Sequence, residues 1–144
     1  MTTIKRNALV PYTAADMFTL VNDLRAYPDF LPWCDEVKIH DESPDEIKAT
    51  VHFSRRGLSA AFTTRNRLQI NKMIEMRLLD GPFRHLQGFW RFEPVGDAGC
   101  KIHLDMEFEI ANPVLRLTIG PLFKQIANSL MDAFIARARD IHGR

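Results

Sequence analysis

Apolar and polar residues alternate with a period of two through most of the middle of this chain. Val37 and Ile39 alternate with Lys38 and His40, and Ile47, Ala49, Val51 and Phe53 alternate with Lys48, Thr50, His52 and Ser54. Leu58, Ala60, Phe62, Leu68 and Ile70 share one parity, interrupted by Thr64 and Asn66. Ile74, Met76 and Leu78 follow, then Leu86, Gly88, Trp90 and Phe92. The clearest case is the last: Ile102, Leu104, Met106, Phe108 and Ile110 point one way, and Lys101, His103, Asp105, Glu107 and Glu109 the other. Such alternation predicts strands with one buried and one wet face, as in an antiparallel meander. Polar or Gly/Pro-containing turns separate them at 41–46, 55–57, 71–72, 81–82 and 96–99.

The ends of the chain read differently. Residues 4–10 predict a short strand that Pro11-Tyr12 ends. Thr13 is placed to cap a helix through Asp23 whose apolar stripe is Met17, Phe18, Val21 and Leu24. Asn112-Pro113 predicts a second helix start, and Gly120-Pro121 predicts its break or kink. From 122 to 141, Phe123, Ile126, Ala127, Leu130, Phe134, Ala138 and Ile141 recur at helical spacing. The expected class is α+β, a single domain spanning 1–144. Its curved antiparallel sheet of about six to seven strands would wrap a long C-terminal helix, because a one-sided sheet must cover its apolar face. Short helices would follow the first strand.

Two segments break both periodicities. Tyr27-Pro28-Asp29-Phe30-Leu31-Pro32-Trp33-Cys34 and Gly81-Pro82-Phe83-Arg84-His85-Leu86-Gln87-Gly88-Phe89-Trp90 crowd aromatic residues beside prolines. Proline interrupts regular hydrogen bonding, so both read as ordered loops. They either frame the mouth of an apolar cavity or plug the end of an ordinary core.

Composition narrows the function classes. The chain has 144 residues, 46% hydrophobic, with a formal net charge of +1, which suits one globular domain and gives no general attraction to DNA or an anionic membrane. Cys34 and Cys100 have neither metal-ligand nor disulfide-framework spacing, and read as buried thiols in a reducing cytoplasm. Glycine-rich phosphate loops, a serine elbow and paired thiols are absent from the sequence.

Candidate chemistry is sparse. His40, His52 and His103 share the outward parity with Asp105, Glu107 and Glu109 and read as a solvated sheet face, not a metal or catalytic cluster. His85 stands near the presumed mouth. Thr64 and Asn66 are inward polar residues that need hydrogen-bond partners: the oxygens of a ligand head, internal water, or a bulge. Met76, Met106, Phe62, Phe108, Trp90 and Phe134 read as core or cavity lining. Arg65, Arg67, Arg77 and Arg91 share the outward parity, a basic patch for RNA or, with Glu75, Glu93, Glu107 and Glu109, a salt-bridged surface.

The element order resembles the helix-grip fold of the START-like superfamily. Ala8-Leu9-Val10-Pro11-Tyr12, Val21-Asn22-Asp23, the 27–34 loop, Phe62-Thr63-Thr64-Arg65-Asn66 and Asp80-Gly81-Pro82-Phe83 resemble one branch of it. That branch holds coenzyme Q-binding proteins and RatA-type ribosome association toxins. It implies a non-enzymatic protein, cytoplasmic or peripheral to the inner membrane, that binds ubiquinone or a related isoprenoid lipid in support of respiration. The quinone head would sit near Thr64, Asn66 and Trp90. Phe62, Met76, Met106, Phe108, Phe123, Ile126, Leu130 and Phe134 would line the cavity. Phe30, Leu31, Trp33 and Phe83 would gate it during transient membrane contact. The runner-up implied by the same branch is a toxin that binds the large ribosomal subunit and blocks subunit joining, with Arg65, Arg67 and Arg77 on RNA. A polyketide cyclase-like enzyme is a distant third.

Overall fold

The alternating segments form seven strands, and a computed structural model describes residues 1–143. They are β1 (Thr2–Val10), β2 (Cys34–Glu42), β3 (Glu46–Arg55), β4 (Leu58–Gln69), β5 (Met73–Asp80), β6 (Phe83–Val95) and β7 (Gly99–Ile110). One sheet contains them all in the order β1-β7-β6-β5-β4-β3-β2. β2 to β7 run as a meander, and β1 closes the sheet beside β7. The chain must therefore cross from one edge of the sheet to the other between β1 and β2. It does so through α1 (Ala14–Asn22), a 3-10 turn (Leu24–Ala26) and α2 (Tyr27–Phe30).

Thr13 caps α1, its hydroxyl accepting from the Asp16 amide at 3.0 Å. The first aromatic segment departs from expectation: Tyr27–Phe30 is one helical turn rather than a loop. Pro28 occupies a first-turn position, where a missing N–H leaves no helical bond unmade. The Leu31 amide donates to the Tyr27 carbonyl at 2.9 Å, and Pro32 follows. Ile70, assigned inward by parity, lies past the end of β4 and is exposed, since Asn71 takes a positive φ of 63° and turns the chain.

The long helix α3 (Pro113–His142) has 30 residues and lies across the inner face. Asn112 caps it by accepting from the Leu115 amide at 2.9 Å. Gly120-Pro121 does not end it. Pro121 cannot donate to the carbonyl four residues earlier, that of Leu117, and Leu117 is 81% exposed, so water can replace the lost donor. Ile119, Phe123, Ile126, Ala127, Met131, Phe134 and Ala138 form the buried stripe. Arg6 ties edge strand β1 to this helix, donating to the Asn128 carbonyl at 3.1 Å with Asp132 at 3.5 Å. An inward cation on an edge strand also discourages pairing with another chain.

Candidate functional site

Between the concave face of the sheet and α3 lies a partly enclosed, mainly apolar cavity of about 70 Å³. Its walls come from five strands, the long helix and the segment that joins β1 to β2. β3 contributes Val51 and Phe53, and β4 contributes Phe62, Thr64 and Asn66. β5, β6 and β7 contribute Met76, Leu86, Trp90 and Met106. The helix contributes Phe123, Ile126, Ala127, Leu130 and Phe134. Leu24, Tyr27 and Trp33 close the end. Ligand sites for drug-sized molecules run to about 300–1,000 Å³, so 70 Å³ holds a few waters or a small group and not an isoprenoid chain. Wider depressions, such as the one between Thr2 and Pro121, open to solvent.

Thr64 and Asn66 are each 5% exposed, the two buried polar side chains among the described residues of the core. The period of two turns both inward, opposite Ala49 and Ile47 on β3. The Thr64 hydroxyl donates to Asn66 Oδ1 at 2.9 Å. Among the described residues nothing in the protein accepts from the Asn66 amide nitrogen, which is therefore the donor offered to the cavity. Gly88 makes room for the Met76 side chain of the lining, whose Cε would stand 2.6 Å from a Cβ there. Tyr27 is the titratable side chain of the lining. Burial, then nearby Cys34 and Asp23, push its pKa well above the phenol range, and its hydroxyl donates to the Val21 carbonyl. It stays neutral and is already committed, so the lining offers no general base.

Of the residues expected to bind ligand, Trp33, Phe62, Thr64, Asn66, Met76, Trp90, Met106, Phe123, Ile126, Leu130 and Phe134 line the cavity. Phe30, Leu31, Phe83 and Phe108 stand behind its walls. The expected gate is a closed plug. Leu31 is 1% exposed, and Trp33 and Phe83 are buried too. Phe30 is half-buried, its ring edge-on to Phe134 at 5.7 Å with the Arg137 guanidinium over it at 4.9 Å. Parity missed Leu24, Tyr27, Val51, Phe53, Leu86 and Ala127 as lining, although each lies on an apolar face legible in the sequence.

His85 does not reach the cavity. A register shift after Phe83 turns it to the outer face, where Nε2 meets Glu107 Oε1 at 2.9 Å. His103 Nε2 meets Glu93 Oε1 at 3.1 Å, and that hydrogen bond, helped by Lys101 and Arg91, holds the Glu93 carboxyl below the usual range. Among the described residues no three His, Cys, Asp or Glu side chains are grouped to hold a metal, and no helix is long and apolar enough to cross a membrane. Cys34 and Cys100 are buried free thiols, and burial pushes the pKa of each up to about 11.

Arg65, Arg67 and Arg77 all lie exposed on the outer face. Register sets Arg65 between Lys48 on β3 and Arg77 on β5. Glu46 pairs with Arg65 at 2.6 Å and Glu75 with Arg77.

Residues 10–135 match the family model described as polyketide cyclase / dehydrase and lipid transport. The chain belongs to that family. The ribosome association toxin RatA of Pseudomonas aeruginosa is 46% identical over 99% of both chains. The mitochondrial coenzyme Q-binding protein coq10 of Schizosaccharomyces pombe is 21% identical over 96% of this chain and 87% of its own. Among solved structures, an 18 kDa protein of Caulobacter crescentus shares 30% identity and a TM-score of 0.76 over the whole of both chains. The Zhui aromatase/cyclase of Streptomyces superposes at a TM-score of 0.84 over 97% of this chain and 95% of its own, and at 18% identity shares the fold alone. The seven-stranded sheet gripping a long helix is thus the helix-grip fold, as the resemblance implied.

Proposed function

We propose that this chain is a non-enzymatic protein that binds the large ribosomal subunit and hinders subunit joining. The observation that carries this reading is the 46% identity, across 99% of both chains, to a protein named for ribosome association. It reverses the ranking drawn from sequence, in which ubiquinone carriage came first. The cavity agrees with the reversal: at about 70 Å³, with Leu31 buried beside it, it is smaller than a quinone with its tail in this arrangement of the chain. The test is a sucrose gradient of ribosomes with rising amounts of the protein. The expected result is a dose-dependent fall in joined ribosomes with free subunits accumulating, and protein sedimenting with the large subunit. An unchanged profile at a several-fold molar excess would overturn the reading.

A second reading keeps a role for the cavity, favoured by the Asn66 donor within it. An oxygen-bearing ring, such as a quinone head, could accept from that amide while Trp33 and Trp90 flank it, provided the 27–34 segment moves outward. Thr64 and Asn66 separate this role from a structural one. Thr64→Val leaves Asn66 Oδ1 without its donor and costs about 1–3 kcal/mol. Thr64→Val with Asn66→Leu removes both polar partners and should leave stability nearly unchanged. If the cavity holds a quinone, the double variant loses saturable quenching of tryptophan fluorescence by a short-chain ubiquinone at unchanged stability. Equal quenching in the two proteins would remove Asn66 from ligand recognition.

A further inference from the structure

The outer face of the sheet is polarised. Over β3 to β5 it carries Lys48, Arg65, Arg67 and Arg77 against three carboxylates, Glu46, Glu75 and, opposite Thr63 at the end of β5, Asp80. Over β6 and β7 it carries four carboxylates, Glu93, Asp105, Glu107 and Glu109, against two cations, Arg91 and Lys101. The net charge of the chain is only +1, so this cationic half is a local arrangement and not a share of a general excess.

Its internal geometry is unfavourable to the fold alone. Arg65 stands directly across from Lys48 on one side and from Arg77 on the other, a three-strand row of like charge. Directly opposed like charges weaken a sheet. The register offers a remedy that the side chains do not take. Arg67 lies opposite both Glu46 and Glu75, yet Glu46 pairs with Arg65 and Glu75 with Arg77. Among the described residues neither Arg67 nor Lys48 makes an ion pair. Neighbouring strands are about 4.8 Å apart, so the row spans only about 10 Å, a density of cation that suits a polyanion better than scattered carboxylates. Arginine also presents a planar fork matched to phosphate oxygens.

Resting on the ribosome reading, we infer that the β3–β5 half of the outer face is the surface that contacts ribosomal RNA, through phosphates. The carboxylates of β6 and β7 are repelled by the same phosphates, so the sheet docks in one orientation with its cationic half against the RNA. The cavity and α3, on the opposite face, stay clear of the contact.

The experiment is equilibrium binding of fluorescently labelled full-length protein to purified large ribosomal subunits over a series of salt concentrations. Wild type, Arg67→Gln, the triple variant Arg65→Gln/Arg67→Gln/Arg77→Gln, and Glu107→Gln/Glu109→Gln are compared. Each phosphate contact contributes about 0.7–0.9 to the slope of log affinity against log salt. The triple variant should therefore lose about two to three units of slope and bind roughly tenfold to a hundredfold more weakly near 0.1 M salt. Arg67→Gln should lose about one unit of slope. Because it removes no ion pair, its melting temperature should match wild type, which separates a lost contact from a lost fold. Glu107→Gln/Glu109→Gln should bind at least as tightly as wild type. Wild-type protein that leaves the subunits unbound would sink the ribosome reading and this surface together. Wild-type binding with undiminished affinity and slope in Arg67→Gln and the triple variant would overturn the surface alone. Loss of binding in the glutamate variant would place the contact on the other half of the sheet and overturn it as well.

Discussion

Phe123→Ala should lower stability by about 3–5 kcal/mol, a drop in melting temperature of roughly 10–20 °C for a chain of this size. Phe123 is 4% exposed and is the hub of an aromatic cluster. Its ring lies 4.7 Å from Phe83, 4.8 Å from Phe108, and 5.7 Å from both Phe53 and Phe62. Those four come from β6, β7, β3 and β4, so one side chain of α3 locks the helix to four strands. Truncation removes the buried area, the edge-to-face contacts and the filling of a rigid wall. It also enlarges the existing cavity, because Phe123 is one of its walls. Urea titration with circular dichroism measures the effect. Leu117→Ala on the same helix is the control: at 81% exposure it should change stability by less than about 0.5 kcal/mol. A Phe123→Ala cost below about 1 kcal/mol would mean that the wall is loosely packed, and the closed-cavity argument against a lipid cargo would fail.

Gly81→Ala should be nearly as damaging, at about 2–5 kcal/mol, from two independent causes. Gly81 has φ +147°, a conformation that residues with a Cβ rarely adopt. A Cβ there would also lie 2.8 Å from Phe62 Cβ and 3.2 Å from Phe62 Cα, and the second of these is backbone that cannot swing aside. Gly57→Ala isolates the first cause. Gly57 also has positive φ, +82°, but nothing stands within 4 Å of its added Cβ. It should cost about 1–2 kcal/mol, and the excess at Gly81 is the clash. Matching urea midpoints for the two variants would show that the Gly81-Pro82 turn yields freely and that its approach to Phe62 holds nothing in place.

The fold was legible because its main determinant is periodicity. Every even-numbered residue from 100 to 110 is buried and every odd one from 101 to 109 is only partly so, as alternation across a pleated strand requires. The caps at Thr13 and Asn112 were legible for an equally local reason, a side-chain oxygen reaching the helix's own orphan amides. Inward Thr64 and Asn66 followed from parity as well.

What failed depended on neighbours distant in sequence. Proline in 27–34 suggested a loop, but a first-turn proline is compatible with a helix, and that turn packs Tyr27 and Phe30 against Phe134 of the distant helix α3. Pro121 looked like a break, yet tertiary contacts of Ile119, Leu122 and Phe123 hold the helix through it. His85 was turned outward by a one-residue shift in the β6–β7 register, which flips every side chain beyond it. The same limit governs function. Parity determines which face a residue takes, so the sequence by itself placed Leu31 among apolar residues and Arg65, Arg67 and Arg77 on the wet side. It does not determine depth or cross-strand partners. Closure of the cavity over Leu31, and the alignment of Lys48, Arg65 and Arg77 in one row, were decided by strand register and by the seating of α3, which are properties of the assembled sheet.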